Sequence, residues 1–257
     1  MPVYVYTIPK AGTYFLAALL EALGLNNTGY HVSRDSYLDT KKFSLEENAR
    51  TPGIAKVNGG YLQVLRNLKQ NDVAFGHFPA PLVWRALSQS LKFLCAYRHP
   101  RHTLVSEFVD FRFRREDVRW VSRAVIPDDA DAFTEYLRQH GTTAHASIFH
   151  SMLLHQQNLQ FELAGPKEQK ASIFVNFDRV MKDVNTVLHI AAFVGRQIGH
   201  AEAKEALERT LGAETKTKAD KVSVDREALW TSKAEAIYQN STFPQIVMVA
   251  RSVGWEL

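Results

Sequence analysis

The sequence predicts an α/β protein: a central parallel sheet flanked by helices on both faces, with a phosphate-binding turn after the first strand. Three observations carry this expectation. Short β-branched and aromatic runs alternate with segments of helical period. The first run, residues 3–8 (Val-Tyr-Val-Tyr-Thr-Ile), passes through Pro9-Lys10-Ala11-Gly12-Thr13 straight into a helical segment. The composition, 257 residues with 46% hydrophobic and 23% charged, is that of a globular chain large enough for a sizeable core. No repeat or linker divides it, so residues 1–257 read as one domain.

The elements follow in order. Residues 3–8 suit a buried strand. From Tyr14 to Leu25, apolar residues at 15, 16, 19, 20, 23 and 25 give a helical period. The polar, turn-rich stretch 26–58, with Asn26-Asn27 and Pro52-Gly53, reads as a loop with one short helix. Gly60–Leu68 is helical, and Val73–Phe75 is a strand ending at Gly76-His77-Phe78-Pro79. Leu82–Leu91 is helical, Lys92–Tyr97 a strand ending at Arg98-His99-Pro100, and Thr103–Phe113 helical with an arginine-rich continuation. Asp131–Gln139 and Ala144–Leu163 are two further helices. Ser172–Phe177 is a strand, followed by a helix from Val180 to Val194. From Ala201 onward the chain reads as helices interrupted by a basic loop, Thr215–Val222.

Composition narrows the function classes. Lys and Arg total 31 against 27 Asp and Glu, a net charge of +4. That mild surplus suits an anionic ligand and falls short of the dense basic tract of a nucleic-acid binder. The single cysteine, Cys95, excludes an intramolecular disulfide and suits a reducing, cytoplasmic location. It lies in the apolar run Leu94–Tyr97 and reads as core. No apolar stretch reaches the ~18 residues a membrane span needs. Lys10 follows rather than precedes the apolar start, unlike a signal peptide.

A strand–turn–helix offers free backbone N–H groups and the positive end of a helix dipole, which suits phosphate. Gly12 allows close backbone approach, Lys10 adds charge, and Thr13 adds a hydroxyl. The turn is P-loop-like without being a Walker loop, because the lysine precedes the only glycine and no Gly-Lys-[ST] occurs.

Pro9-Lys10-Ala11-Gly12-Thr13-Tyr14-Phe15 resembles the 5′-phosphosulfate loop (PKSGTTW) of sulfotransferases that use 3′-phosphoadenosine 5′-phosphosulfate, PAPS. Arg98-His99-Pro100 through Ser106 is similar to that family's 3′-phosphate motif, with the eight-residue Arg-to-Ser spacing kept. Phe174–Asp178 through Asp183 resembles its FxYEDM strand. Gly76-His77-Phe78-Pro79 resembles the stretch carrying its catalytic histidine. The four stand in the family's order within the first ~190 residues. The resemblance implies a sulfotransferase with PAPS as co-substrate, adenosine 3′,5′-bisphosphate as product, and no metal. It also implies cofactor contacts from Lys10, Ala11, Gly12, Thr13, Tyr14, Phe15, Arg98, Ser106 and Phe177. The chain departs from the pattern in places. Ala11 stands for the loop serine, Phe15 for a tryptophan, Phe177 for a tyrosine and Phe75 for a frequent lysine. The C-terminal RKGxxGDW signature is missing, with Lys216 and Lys218 of Lys216-Thr217-Lys218 as its nearest counterpart.

The residues themselves suit sulfuryl transfer. Charge grows on the bridging phosphate oxygen, where Lys10 and the Gly12–Thr13 turn stand. The acceptor must lose a proton, and His77, at a strand end, is the candidate base. Arg98 offers a bidentate fork for a phosphate monoester, or alternatively a partner for Glu107 or Asp110. His99 and His102 read as surface or supporting groups. His145, His150 and His155, predicted on one helix, lack a metal-ligand spacing. The run Arg112, Arg114, Arg115, Arg119 and Arg123 reads as a solvated face near Glu116 and Asp117; an acidic-acceptor site or a homodimer contact are its sharper readings.

Two other functions stay open on the residues alone. One is a P-loop-like kinase or nucleotide-binding protein, weakened by the missing Gly-Lys-[ST] and a missing Mg²⁺-holding carboxylate. The other is a non-catalytic nucleotide or nucleic-acid module, with Phe108, Phe111, Phe113 and Trp120 as stacking faces, though such spacing is more often core. The acceptor is expected to be a small molecule carrying a hydroxyl or an amine.

Overall fold

The strand β1 (Val3–Thr7) is buried along its whole length, as its unbroken β-branched and aromatic run requires of a central strand. The computed structural model describes residues 1–33, 36–51, 53–58, 60–77, 87, 90–162, 171–213 and 224–257. β1 pairs in parallel with β5 (Asp72–Gly76) on one side and β6 (Lys92–Tyr97) on the other. β7 (Ser172–Asn176) continues the parallel set beyond β6, and β2 (Asn26–Val32) beyond β5. The sheet order is β4-β3-β2-β5-β1-β6-β7.

Alternate residues of the central strands feed two cores. Tyr4, Tyr6, Ile8, Phe93 and Cys95 pack against α4 (Pro100–Phe113), α5 (Asp129–Tyr136) and α6 (Ala146–Glu162). On the same side lie α10 (Ser232–Gln239) and α11 (Phe243–Ser252). Val3, Val5, Leu94, Ala96 and Val175 face α1 (Thr13–Ala22), α8 (Val184–Phe193) and α9 (His200–Gly212). The expected sheet with helices on both faces is therefore present, and Cys95 is fully buried in it.

The stretch 26–58 departs from the expected loop. It holds β2, β3 (Ser36–Asp39), the short helix α2 (Leu45–Arg50) and β4 (Lys56–Asn58). β3 is antiparallel to β2 and to β4, so the parallel sheet gains an antiparallel edge. Strand propensity misleads here because pairing with β5 supplies the backbone partners. The register shift between Asn27 and His31 accommodates Gly29 at φ +80°. α3 (Tyr61–Arg66) lies within the predicted 60–68 helix. The predicted helix 82–91 and the basic loop 215–222 lie largely outside the described residues. α7 (Phe177–Val180) is a single turn that redirects the chain between β7 and α8. His145 precedes α6, His150 is exposed on it and His155 is buried, so these histidines do not share one face.

The arginine run is not one solvated face. α4 stops at Phe113, and Arg112 turns inward with no exposed side-chain surface. Its Nε donates to Asp129 Oδ1 at 2.7 Å, and its guanidinium also donates to the carbonyls of Val121, Ile126 and Pro127. Arg115 pairs with Asp117, and Arg123 with Asp129. Phe108 and Phe111 are core residues rather than a stacking surface. Among the described residues, no helix is long and apolar enough to cross a membrane.

Arg112 thus stitches the 114–128 segment to α4. Arg112→Ala leaves three carbonyls without their donor and Asp129 with Arg123 alone, and is expected to lower the unfolding free energy in urea by ~3–5 kcal/mol. Arg119→Ala, on an exposed side chain, is the control and should change it by under about 0.5 kcal/mol.

Candidate active site at the carboxyl ends of the central strands

Four predicted segments meet where β1, β5, β6 and β7 end, the edge at which open α/β sheets hold ligands. The turn after β1 is wound tightly. Lys10 and Gly12 both take left-handed conformations, at φ +65° and +77°, and the Ala11 N–H returns to the Ile8 carbonyl at 2.9 Å. The first helical bond of α1 runs from Leu16 N–H to the Gly12 carbonyl at 2.8 Å. The N–H groups of Thr13, Tyr14 and Phe15 thus stand in the first turn of α1, at the positive end of its dipole.

Gly12 is set by a neighbour as well as by its dihedral. A Cβ there would lie 1.9 Å from Cε2 of Phe177. Phe177 is buried across the turn and meets Phe15 edge to face, with ring centroids 5.6 Å apart. The Arg98 guanidinium stands 5.3 Å from the Phe177 ring centre. Arg98 Nε donates to Asp178 Oδ1 at 2.9 Å and to Oδ2 at 3.2 Å, Nη2 lies 2.8 Å from Oδ1 in the ion pair, and Nη1 donates to the Lys10 carbonyl at 3.4 Å. The carboxylate partner of Arg98 is therefore Asp178, neither Glu107 nor Asp110. Burial would raise the Asp178 carboxyl, but hydrogen bonds from His102 and Arg98 and the Arg98 charge hold it well below its ordinary range. The loop, the arginine motif and the Phe174–Asp178 strand are thus one contact set.

Lys10 Nζ lies 2.7 Å from Asp110 Oδ2, on α4. Arg114, also on the site side of α4, reaches the other Asp110 oxygen at 3.5 Å. Ser106 is half-buried on α4, and its hydroxyl has no hydrogen bond among the described residues. Ala11 is fully buried. Thr13 turns inward, its hydroxyl 2.6 Å from the Thr7 hydroxyl.

Gly76 lets β5 close on β2 at this edge, since a Cβ there would meet the Val32 carbonyl oxygen at 2.0 Å. His77 emerges directly after it. Its Nδ1 is 2.9 Å from the Thr7 carbonyl, which can only accept, so Nδ1 carries the proton and Nε2 keeps its lone pair. Burial lowers the His77 pKa to about 4, with His145 and Lys10 adding to the effect and the Thr7 bond opposing it. The ring is neutral at neutral pH, with Nε2 as a proton acceptor.

The Tyr14 side chain packs toward β2 and β5. Its hydroxyl pairs with His31 Nδ1 at 2.9 Å, and its ring packs on Phe75 and His31. Burial pushes its phenol up. The His31 ring in turn lies 5.0 Å from His77, centroid to centroid. Lys216 and Lys218 lie outside the described residues.

Several contributors escape sequence reasoning. Thr7 locks the His77 tautomer, Asp110 positions Lys10, and Asp178 positions Arg98. Partial burial of the Arg226 head group and the charges of Arg98 and Arg114 depress its pKa, so a further cation stands within range of Arg98. Only Asp178 carried a signal, as part of the Phe174–Asp178 motif. Among the described residues, no group of three or more His, Cys, Asp or Glu side chains is arranged to hold a metal.

The chain can now be set beside known proteins. The sulfotransferase-domain family profile matches residues 2–239. Mouse sulfotransferase SULT7A1, solved with PAP, superposes with a TM-score of 0.58 at 17% identity, covering 98% of this chain and 88% of that one. Retinol dehydratase, solved with androsterone and the inactive cofactor PAP, gives 0.56 at 13% identity over 100% of this chain and 82% of that one. Its complex with retinol and PAP gives 0.53 at 12% identity, over 100% and 82% of the two chains. No curated protein sequence matches the chain significantly. At these identities the superpositions speak for the fold, while the profile spans nearly the whole sequence: the chain belongs to the sulfotransferase-domain family.

Proposed function

We propose that the protein transfers the sulfuryl group of PAPS to a hydroxyl of a small-molecule acceptor and releases adenosine 3′,5′-bisphosphate. The observation that carries this reading is the convergence of Gly12, Phe177, Arg98 and Lys10 in one contact set, beside a histidine held as a neutral base. A turn that opens onto a helix N-terminus, bordered by Lys10, Arg98 and Arg226, has the chemistry of a site for two phosphates. The first-turn N–H groups of Thr13, Tyr14 and Phe15 and the Lys10 ammonium suit the 5′-phosphosulfate. Arg98, Ser106 and Arg226 suit the 3′-phosphate. Phe15 and Phe177 offer ring faces to the adenine, although Phe177 lacks the hydroxyl of the family's tyrosine.

In this reading the acceptor oxygen attacks sulfur in line with the departing phosphate oxygen. The new S–O bond forms as the S–O–P linkage breaks on the phosphate side of sulfur, and the acceptor proton passes to His77 Nε2. Lys10 and the turn N–H groups take up the charge growing on the leaving phosphate. An anionic sulfuryl group nearby would raise the His77 pKa toward neutrality and make it a better base than it is alone. The androsterone and retinol found in retinol dehydratase are single small molecules, which supports an acceptor of that kind. The single cysteine supports a cytoplasmic setting.

The 3′-phosphate assignment is tested by comparing two nucleotides. Arg98→Ala is expected to lose ~2–5 kcal/mol of affinity for adenosine 3′,5′-bisphosphate by calorimetry, with little change for adenosine 5′-phosphate. Equal losses for both would make Arg98 a structural partner of Asp178 only. The base assignment is tested by turnover. His77→Ala should keep bisphosphate binding and lose ~10²–10⁴ in kcat, provided its melting curve shows a folded protein. A folded, nucleotide-binding variant with near-normal kcat would remove His77 from the reaction.

A further inference from the structure

Helix α4 carries a second carboxylate next to the site. Glu107 lies one turn before Asp110, the residue that holds Lys10. It is buried, and its oxygens are closely surrounded. Tyr136 donates its hydroxyl to Oε2 at 2.6 Å, His145 Nε2 lies 2.8 Å from Oε1, and His140 Nε2 lies 3.6 Å from Oε2. Burial alone would raise the Glu107 carboxyl, yet the contacts with His145, His140 and Tyr136 bring it well below its ordinary range.

The backbone is built around this cluster. Residues Leu137–Gly141 form a π-helical turn directly after α5, a local widening often found at functional sites. A side chain at Gly141 would press on Tyr136 at 2.7 Å, so glycine allows the tyrosine its place beside Glu107.

His145 is the incomplete member. It is only 7% exposed, and among the described residues neither ring nitrogen has a hydrogen-bond partner. Nε2 at least faces the Glu107 carboxylate, though off the line of a hydrogen bond; Nδ1 faces no such group. Buried polar atoms are nearly always paired, so this one calls for a partner beyond the described residues, and a ligand hydroxyl can supply it. The charges of His145 and Glu107 are felt at His77, and Glu107 shares its helix with the Lys10 partner Asp110, so the cluster lies near the candidate site.

We propose that His145, backed by Glu107, binds a second hydroxyl of the acceptor, distinct from the one that receives the sulfuryl group. The inference rests on the sulfotransferase reading above. A hydroxyl suits Nδ1 because it both donates and accepts, and so pairs with the ring in either protonation state; an ammonium can only donate. The acceptor class is therefore a diol or polyol rather than a mono-alcohol.

The test measures kcat and KM with PAPS for cyclohexanol, the cyclohexanediols and the aminocyclohexanols. A favoured cyclohexanediol should exceed cyclohexanol in kcat/KM by roughly tenfold or more, mainly through KM. His145→Phe should abolish that preference, and His145→Asn, which keeps a polar atom near the Nδ1 position, should restore part of it. Glu107→Gln should weaken it through KM. Each variant is first titrated with adenosine 3′,5′-bisphosphate, which reports an intact fold and cofactor site. The inference is overturned if the wild type treats diol and mono-alcohol alike, if the preference survives His145→Phe, or if an aminocyclohexanol outperforms every diol. A wild type that does not bind the bisphosphate would instead overturn the sulfotransferase reading on which the inference rests.

Discussion

Phe177 lying across Gly12 is the contact on which the site depends. It joins the first strand's turn to the last strand's end, across two intervening parallel pairings. The aromatic ring can sit there only because residue 12 has no Cβ and tolerates φ +77°. Once in place, the ring gives the Arg98 guanidinium a face to rest on, and Asp178, the next residue, gives it a carboxylate. Arg98 then reaches back to the Lys10 carbonyl and ties the turn to the arginine. Three segments far apart in the sequence become one contiguous surface through a single glycine–phenylalanine approach.

The histidine side of the site follows a different logic. His77 is held by a backbone carbonyl, which fixes the proton on Nδ1 whatever the side chains nearby do. Burial then keeps the ring neutral. The imidazole is therefore set as a neutral proton acceptor, with Nδ1 turned to the Thr7 carbonyl of β1. The polar groups around it fall into two sets: Tyr14 and His31 on the β2 side, and Glu107, His145, His140 and Tyr136 on the α4–α5 side. The first set is internally paired. The second contains a buried imidazole without a hydrogen-bond partner among the described residues, the asymmetry behind the acceptor inference.

How much of this was readable from the sequence differs by element. The central strands were readable because they are buried on both faces and so carry continuous apolar runs, as in Val3–Thr7 and Lys92–Tyr97. The strands β2, β3 and β4 were not, because Asn26-Asn27-Thr28-Gly29 has poor strand propensity and is held by pairing to β5. The Lys10–Thr13 turn, His77 and Arg98 stood out by residue type at strand ends, whereas Phe15 and Phe177 entered through the family resemblance; the structure brings Gly12, Phe15, Arg98 and Phe177 together. Their partners did not stand out. Thr7 acts through a carbonyl, Asp110 and Glu107 look like ordinary helix-surface acids, and Arg226 sits in a segment with no periodic signal. Arg112 was misread as solvated because a charged residue on a helix is exposed far more often than it is turned inward onto loop carbonyls.

The central claim is that the Gly12 turn and Arg98 together hold a nucleotide with phosphates at both its 5′ and 3′ positions, whose sulfuryl group leaves for an alcohol. The most direct measurement incubates the protein with PAPS labelled in the sulfuryl group and a mixture of alcohols and polyols, then follows the label and the nucleotide together. The account predicts that labelled SO₃ appears on one or more alcohols, in step with an equal amount of adenosine 3′,5′-bisphosphate. A chain that leaves PAPS intact but consumes ATP, or that binds neither the bisphosphate nor PAPS, would contradict it.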